Sequence, residues 1–200
     1  MRVRSEEFQA IDLDVHRVLA DVALHDVSAV DLPGGGDGRT LGDVRKLLST
    51  DLTVDASPAV RLLFSLRQRM GRVFGWDREI HGHPDESYVS RLEQDQRERS
   101  LIPPGTADGP FRALYLYPRE SLSEIRNATV HAFSCMALVP LASGYRLYWA
   151  IYVRPVSRLT PLYMGLIEPF RRFIVYPAIL RRLRARWTAA YGSASERADG

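Results

Sequence analysis

Histidines and carboxylates crowd together once in this chain, in the run His81-Gly82-His83-Pro84-Asp85-Glu86. An HxH step followed by acids offers the donor types of a transition-metal site. Gly82 and Pro84 place the run in a loop, and no third ligand follows at a standard spacing, so the expectation is a solvated connector and no metal. His131 is the second candidate. At alternate positions it shares a strand face with Ile125, Asn127, Thr129, Phe133 and Cys135, the mixture of polar and apolar groups that lines ligand pockets. A histidine there can act as a general base, but the spacing supplies no partner to orient it. Ser134 and Cys135 lie in no nucleophile-elbow context and no carboxylate pair stands at catalytic spacing, so no catalytic residue is assigned. The run Gly34-Gly35-Gly36-Asp37-Gly38 lacks both the GK[ST] tail of a phosphate loop and the spacing of a dinucleotide fingerprint, and reads as a flexible turn.

Composition narrows the class. Of 200 residues, 46% are hydrophobic and 26% charged, as in an ordinary globular protein. A net charge of +3 is too small to argue for nucleic acid, although Lys46 is the only lysine among 27 basic residues. Arginine forks can read phosphates, yet here they are scattered except in the last helix. A single cysteine, Cys135, excludes an intramolecular disulfide and any CxxC motif, which fits a reducing cytoplasm. No apolar stretch of signal-peptide type opens the chain, and Glu168, Arg171 and Arg172 interrupt its most hydrophobic region. The expected location is cytoplasmic.

The elements that must position these groups follow from periodicity. Residues 1–15 read as a weakly ordered lead-in, 16–190 as one domain and 191–200 as a disordered tail. A valine-rich strand centred on Ala23 to Asp31 ends at Pro33 and the glycine turn. Two short helices follow, Leu41 to Ser49 and one opened by Ser57-Pro58 and stopped by Gly75. Tyr88 to Leu92 reads as a short strand, and Glu93 to Pro104 as a mobile connection. From Phe111 the period becomes two: Phe111 to Tyr117, a single bent strand from Ser123 to Val139, a turn at Ala142-Ser143-Gly144, and Tyr145 to Arg154. The last of these sets Tyr145, Leu147, Trp149, Ile151 and Val153 against Arg146, Tyr148, Ala150 and Tyr152 on its two faces.

The chain closes on a long helical pattern. Leu162, Leu166, Phe173, Tyr176, Leu180, Leu183 and Trp187 form one apolar stripe with Phe170 beside it, and Arg171, Arg182 and Arg186 lie opposite. Pro169 cannot donate to the Gly165 carbonyl, which costs about 3 kcal/mol in an unbroken helix, so a kink is expected there. A kinked helix leaves space between itself and the sheet. The expected cavity is that space.

The segment Tyr163-Met164-Gly165-Leu166-Ile167-Glu168-Pro169-Phe170-Arg171-Arg172-Phe173-Ile174-Val175 resembles the YxxxIxPFHRxIV-like signature of a bacterial family of unknown function, also found fused to short-chain-dehydrogenase-like NAD(P)-binding proteins. The resemblance extends loosely from Val22 to Trp187. It implies an α+β START-like helix-grip (SRPBCC) fold, a curved antiparallel sheet with two short helices after the first strand and a long kinked C-terminal helix closing a ligand cavity. Arg171 stands where the family usually has histidine, and Thr160 where it tends to have glycine.

The reading that follows is a small-molecule binding protein without a cofactor, holding an apolar or aromatic ligand between sheet and C-terminal helix. The expected lining is Thr129, His131, Phe133, Tyr148, Tyr152, Phe170 and Tyr176. The alternatives are a polyketide cyclase or aromatase-like enzyme using the same cavity, and a partner-binding or membrane-surface module using the arginine-rich end of the last helix. Membrane contact ranks last among the partners, and nucleic acid is not expected.

Overall fold

The computed structural model describes residues 3–49, 87–126, 130–156, 165, 168 and 171–192. In chain order these form α1 (Ser5–Gln9), α2 (Val15–Val18), β1 (Ala23–Pro33), α3 (Leu41–Ser49), a 3-10 turn (Tyr88–Arg91), α4 (Gln94–Arg99), β2 (Ala107–Asp108), β3 (Phe111–Leu116), β4 (Glu120–Arg126), β5 (Val130–Leu141), β6 (Gly144–Pro155), a π-turn (Arg171–Val175) and α5 (Tyr176–Tyr191). The helix expected over 57–75 and the histidine-rich run 81–86 lie outside the described residues, as do Thr129, Pro169 and Phe170.

All six strands pair antiparallel in one curved sheet of order β1-β6-β5-β4-β3-β2, so the architecture is α+β. Irregular register between Leu24 and Asp26 and between Ala113 and Tyr115 adds local bend and twist. The β5–β6 hairpin lies between β1 and β4 and carries side chains into cores on both faces of the sheet.

On one face Phe133, Cys135, Ala137, Tyr148, Ala150 and Tyr152 pack with Phe8, Val15, Val18 and Leu19 of the N-terminal segment and with Tyr88 and Leu92. On the other, Leu138, Tyr145 and Leu147 pack with Leu32, with Leu41 and Val44 of α3, and with Leu180, Leu183 and Trp187 of α5. Residues 1–15, read from sequence as a weakly ordered lead-in, contain α1 and the first residue of α2, and Phe8 and Val15 are buried in this core.

Several local expectations change. The run from Ser123 to Val139 is two strands, β4 and β5, paired so that Arg126 opposes His131. Neither glycine nor proline marks the break. The reversal flips the phase of the upstream half: Ile125 opposes Ala132 and leaves the His131 face, while Glu124 and Arg126 join it. Tyr88–Arg91 is a 3-10 turn, with Ser87 accepting the Val89 N–H as its cap. The connection expected to be mobile contains α4, started by a capping box between Glu93 and Gln96.

The last helix breaks at the π-turn, whose wider winding rotates the following residues relative to an α-helix. Phe173 consequently leaves the apolar stripe and is 69% exposed. Pro177 falls in the first turn of α5, where its missing N–H breaks no bond. Tyr176, Leu180, Leu183 and Trp187 keep the expected buried stripe.

The glycine turn has a structural task. Gly35 N–H donates to the Tyr191 carbonyl at 3.1 Å, capping the end of α5. Trp187 Nε1 donates to Pro33 O at 3.2 Å, Tyr145 Oη to Gly36 O at 2.8 Å, and the Arg39 guanidinium lies 3.9 Å from the Tyr191 ring centroid. Gly34 has φ +71°, and a Cβ there would stand 2.9 Å from Tyr191 O. At Gly144, with φ +136°, a Cβ would meet Leu32 O at 2.3 Å, so both positions require glycine.

Trp187 is fully buried and touches the rings of Tyr145 and Tyr191. Trp187→Ala is expected to lower stability by ~3–5 kcal/mol, measured by urea denaturation. An unchanged midpoint would mean that the clasp between the glycine turn and α5 holds nothing together.

Candidate ligand cleft

Cross-strand register assembles a polar row at one end of the sheet. Arg126 on β4 opposes His131 on β5, which opposes Arg154 on β6. Directly opposed residues of antiparallel strands project to the same face, so three nitrogen-rich side chains stand side by side. The turn carrying Ser87, Tyr88 and Arg91 lies over them. Together they line a cleft of about 450 Å³, which Pro155 and Val156 close at the strand end.

Beneath the row, Glu124 organises the polar groups. His131 Nε2 lies 2.9 Å from Glu124 Oε2, and both residues are almost fully buried, at 3% and 5% exposure. Ser87 Oγ donates to Glu124 Oε1 and Tyr88 N–H to Oε2 at 3.2 Å. Burial pushes the Glu124 carboxyl pKa up, but the hydrogen bonds from His131, Ser87 and the Tyr88 backbone outweigh it and leave the group below its ordinary range. Glu124 is therefore ionised near neutrality. A neutral His131 must then hold its proton on Nε2, leaving Nδ1 to accept a proton or a hydrogen bond.

The wall groups are fixed in turn. Arg154 Nη1 donates to Tyr88 Oη at 3.1 Å. The Arg91 guanidinium lies 3.8 Å from the Tyr88 ring centroid and reaches Asp21 at 2.6 Å. Tyr88 meets His131 edge-on, with ring centroids 5.3 Å apart, and Phe133 at 4.6 Å. The cleft is thus a cationic surface around an aromatic floor.

Of the residues expected to line a cavity under the C-terminal helix, the structure brings four to the opposite face. His131 borders the cleft, and Phe133 supports it from below. Tyr152 and Tyr148 share that face but pack away from the cleft, with Tyr148 Oη donating to Glu7 at 2.7 Å and Tyr152 Oη 3.4 Å from His16 Nδ1. Tyr176 is the exception. It faces the sheet from α5 and packs on Trp149 at 4.8 Å. The reason is the alternation of β5 and β6: odd residues of β5 and even residues of β6 turn away from α5. Thr129 and Phe170 fall outside the described residues.

The residues missed from sequence are Glu124, Arg126, Arg154, Ser87, Tyr88 and Arg91. The first two are placed by the antiparallel pairing of β4 with β5, which no glycine or proline signals. Cys135 is buried on both sides, and burial pushes its thiol pKa well up, so it offers no thiolate. Among the described residues, no group of three or more metal-ligating side chains occurs.

A second cleft, of about 520 Å³, lies between α2 and the β3–β4 turn. Its acids are already engaged. Asp14 accepts from Arg17, from Arg99 at 2.8 Å and from Gln96 at 3.4 Å. Glu120 takes the Asp14 and Val15 N–H groups at 3.0 and 2.8 Å and the Tyr115 hydroxyl at 2.6 Å. This cluster ties α2 to the sheet.

Stability should depend on acid through these groups. Glu124 and Asp14, whose folded pKa values are lowered, contribute stability above their ordinary values of 4.5 and 3.8, lost as pH falls through the folded values. Glu120, raised mainly by burial, acts oppositely, its folded form holding the proton more tightly. Glu124→Gln should lose ~1–3 kcal/mol near pH 7 and show a smaller fall in urea midpoint below pH ~4.5 than the parent. Parallel midpoint-against-pH curves would remove Glu124 from its place at the centre of the cleft.

No curated protein and no solved structure matches the chain. One family model does, over residues 18–178, a span that holds all six strands and every residue of the cationic cleft. The chain therefore belongs to the family described as Protein of unknown function (DUF2867).

Proposed function

We propose that this protein binds a small organic acid in the cleft beside His131, the anionic group against Arg126, His131 and Arg154 and the apolar or aromatic part against Tyr88, Pro155 and Val156. The observation that carries the reading is the cross-strand row Arg126–His131–Arg154. The two arginines flank His131 on one face of the sheet, so a carboxylate or phosphate set over the row meets a guanidinium on either side. Guanidinium forks match the planar or tetrahedral oxygens of such groups. A cleft of about 450 Å³ is of the size that holds small ligands.

The architecture supports a START-like helix-grip reading at the level of topology. The last strand lies beside the first, and a C-terminal helix crosses the sheet. The proposed ligand then sits on the face away from that helix. This is a cofactor-free reading, with the small molecule as the partner.

A second reading, a cyclase or aromatase-like enzyme, has one observation in its favour. Glu124 fixes the His131 imidazole from behind, the arrangement that orients a general base. The same arginines would hold the substrate's anionic group while Nδ1 moves a proton.

Calorimetric titration with benzoate and with phenyl phosphate tests the binding reading. The parent protein should bind at least one probe, and Arg154→Gln and Arg126→Gln should each weaken it about tenfold, the worth of one charge-assisted hydrogen bond. Arg119→Gln, at the exposed rim of the second cleft, should leave the affinity unchanged. Absence of binding by both probes, or equal losses in all three variants, would overturn the assignment of the cleft.

A further inference from the structure

The C-terminal segment carries an independent feature. Residues 171–192 contain six arginines and no aspartate or glutamate. The helix sorts them. Tyr176, Leu180, Leu183 and Trp187 face the sheet, and Arg186 turns toward α3 to donate to Leu47 O at 2.8 Å. Arg181 and Arg184 are exposed and, among the described residues, form no ion pair. With Pro177 and Thr188 they fall at i, i+4, i+7 and i+11, one outward strip of α5. Arg184 acts electrostatically on Asp31, whose carboxylate is already held by Arg146 at 2.6 and 3.2 Å.

At the start of this strip stands Phe173, whose 69% exposure is the largest among the exposed large hydrophobic residues. The Arg172 guanidinium lies 5.3 Å from its ring centroid and 4.0 Å from Glu168 Oε1. The π-turn that precedes α5 is what directs Phe173 outward. An exposed aromatic ring beside a basic helix face whose one neighbouring acid among the described residues of the segment, Glu168, is turned to Arg172 and His25 combines two requirements of an interfacial contact: apolar surface to enter the headgroup layer and cations to meet its phosphates.

We propose that the outer face of α5 and its preceding turn docks on an anionic membrane surface, with Phe173 entering the headgroup region and Arg181 and Arg184 meeting lipid phosphates. The exposed ring decides between lipid and nucleic acid. A strip of arginines suffices for a phosphate backbone, whereas a phenyl ring standing clear of the protein gains most from an apolar layer beneath the charges. The helix lies flat on the sheet, so contact is peripheral, and no described helix is long and apolar enough to cross a membrane. The proposal is independent of the cationic cleft, which opens elsewhere on the sheet.

The test is co-sedimentation of the full chain with vesicles of phosphatidylcholine alone and with about 30 mol% phosphatidylglycerol, in low salt and at about 0.5 M salt. Binding should require the anionic lipid and fall at high salt. The Arg181→Gln/Arg184→Gln variant should bind about tenfold more weakly. Phe173→Ser should lose a similar factor in a part that salt does not abolish. All these positions are solvent-facing, so unchanged thermal unfolding is expected to accompany the losses. Sedimentation indifferent to lipid charge, no sedimentation, or binding to a short DNA duplex with none to vesicles would each overturn the proposal.

Discussion

The register of the β4–β5–β6 meander governs which residues of this protein meet. Along most of their length both strands of the β5–β6 hairpin pack on both faces, so successive side chains are committed to cores on opposite sides of the sheet. A slip by one residue would carry His131, Phe133 and Cys135 under α5 and place Ala132, Ser134 and Met136 against α1 and α2. Hydrophobicity alone does not choose between these states, because both sides are apolar. Size and polarity choose. Glu124, His131 and Glu120 find their donors on the N-terminal side, and Trp149 finds Ser134 and Tyr176 on the other.

The buried carboxylates make that choice costly to reverse. Glu124 gathers an imidazole, a hydroxyl and a backbone N–H, and Glu120 gathers two backbone N–H groups and a phenol. A carboxylate stripped of such partners in a dry interior costs several kcal/mol, far more than the net gain from any single bond. The two acids sit two rows apart on one face of β4, with Leu122 between them on that face. One secures the start of α2 and the other the turn over the cleft.

Much of the fold was legible in the residues. The period-two runs placed β1, β3 and β6, and the spacing of Leu41, Val44, Leu47 and Leu48 placed α3. The stripe Tyr176, Leu180, Leu183 and Trp187 placed the helix that packs on the sheet. What escaped was decided by few atoms. The β4–β5 reversal has no glycine or proline to announce it, and that omission displaced Ile125 and hid Arg126 from the site. The Glu93-to-Gln96 capping box was readable as a helix start but sat in a charged stretch that resembled a loop. Which sheet face each helix covers was never in the periodicity at all. It follows from long-range packing, such as Phe8 against Tyr148 with centroids 5.9 Å apart.

Gly34, Pro33 and Trp187 also bear on the order in which this chain can assemble. Strand β1 emerges early yet borders only β6, and the bond from Trp187 to Pro33 O spans 154 residues. During synthesis β1 must remain without its sheet neighbour until β6, Gly144–Pro155, is available. The β3-to-β6 meander can form from local hairpins, whereas docking of β1 and then α5 is a late, high-contact-order event. In the interval β1 presents an apolar edge, interrupted by Asp26 and Asp31 and ended by Pro33, residues that discourage pairing with another chain. In the finished fold its free side receives the N-terminal segment, where Val3 N–H donates to Val27 O at 3.3 Å. The segment before β1 thus shields the strand whose partners, β6 and α5, lie farthest from it in sequence.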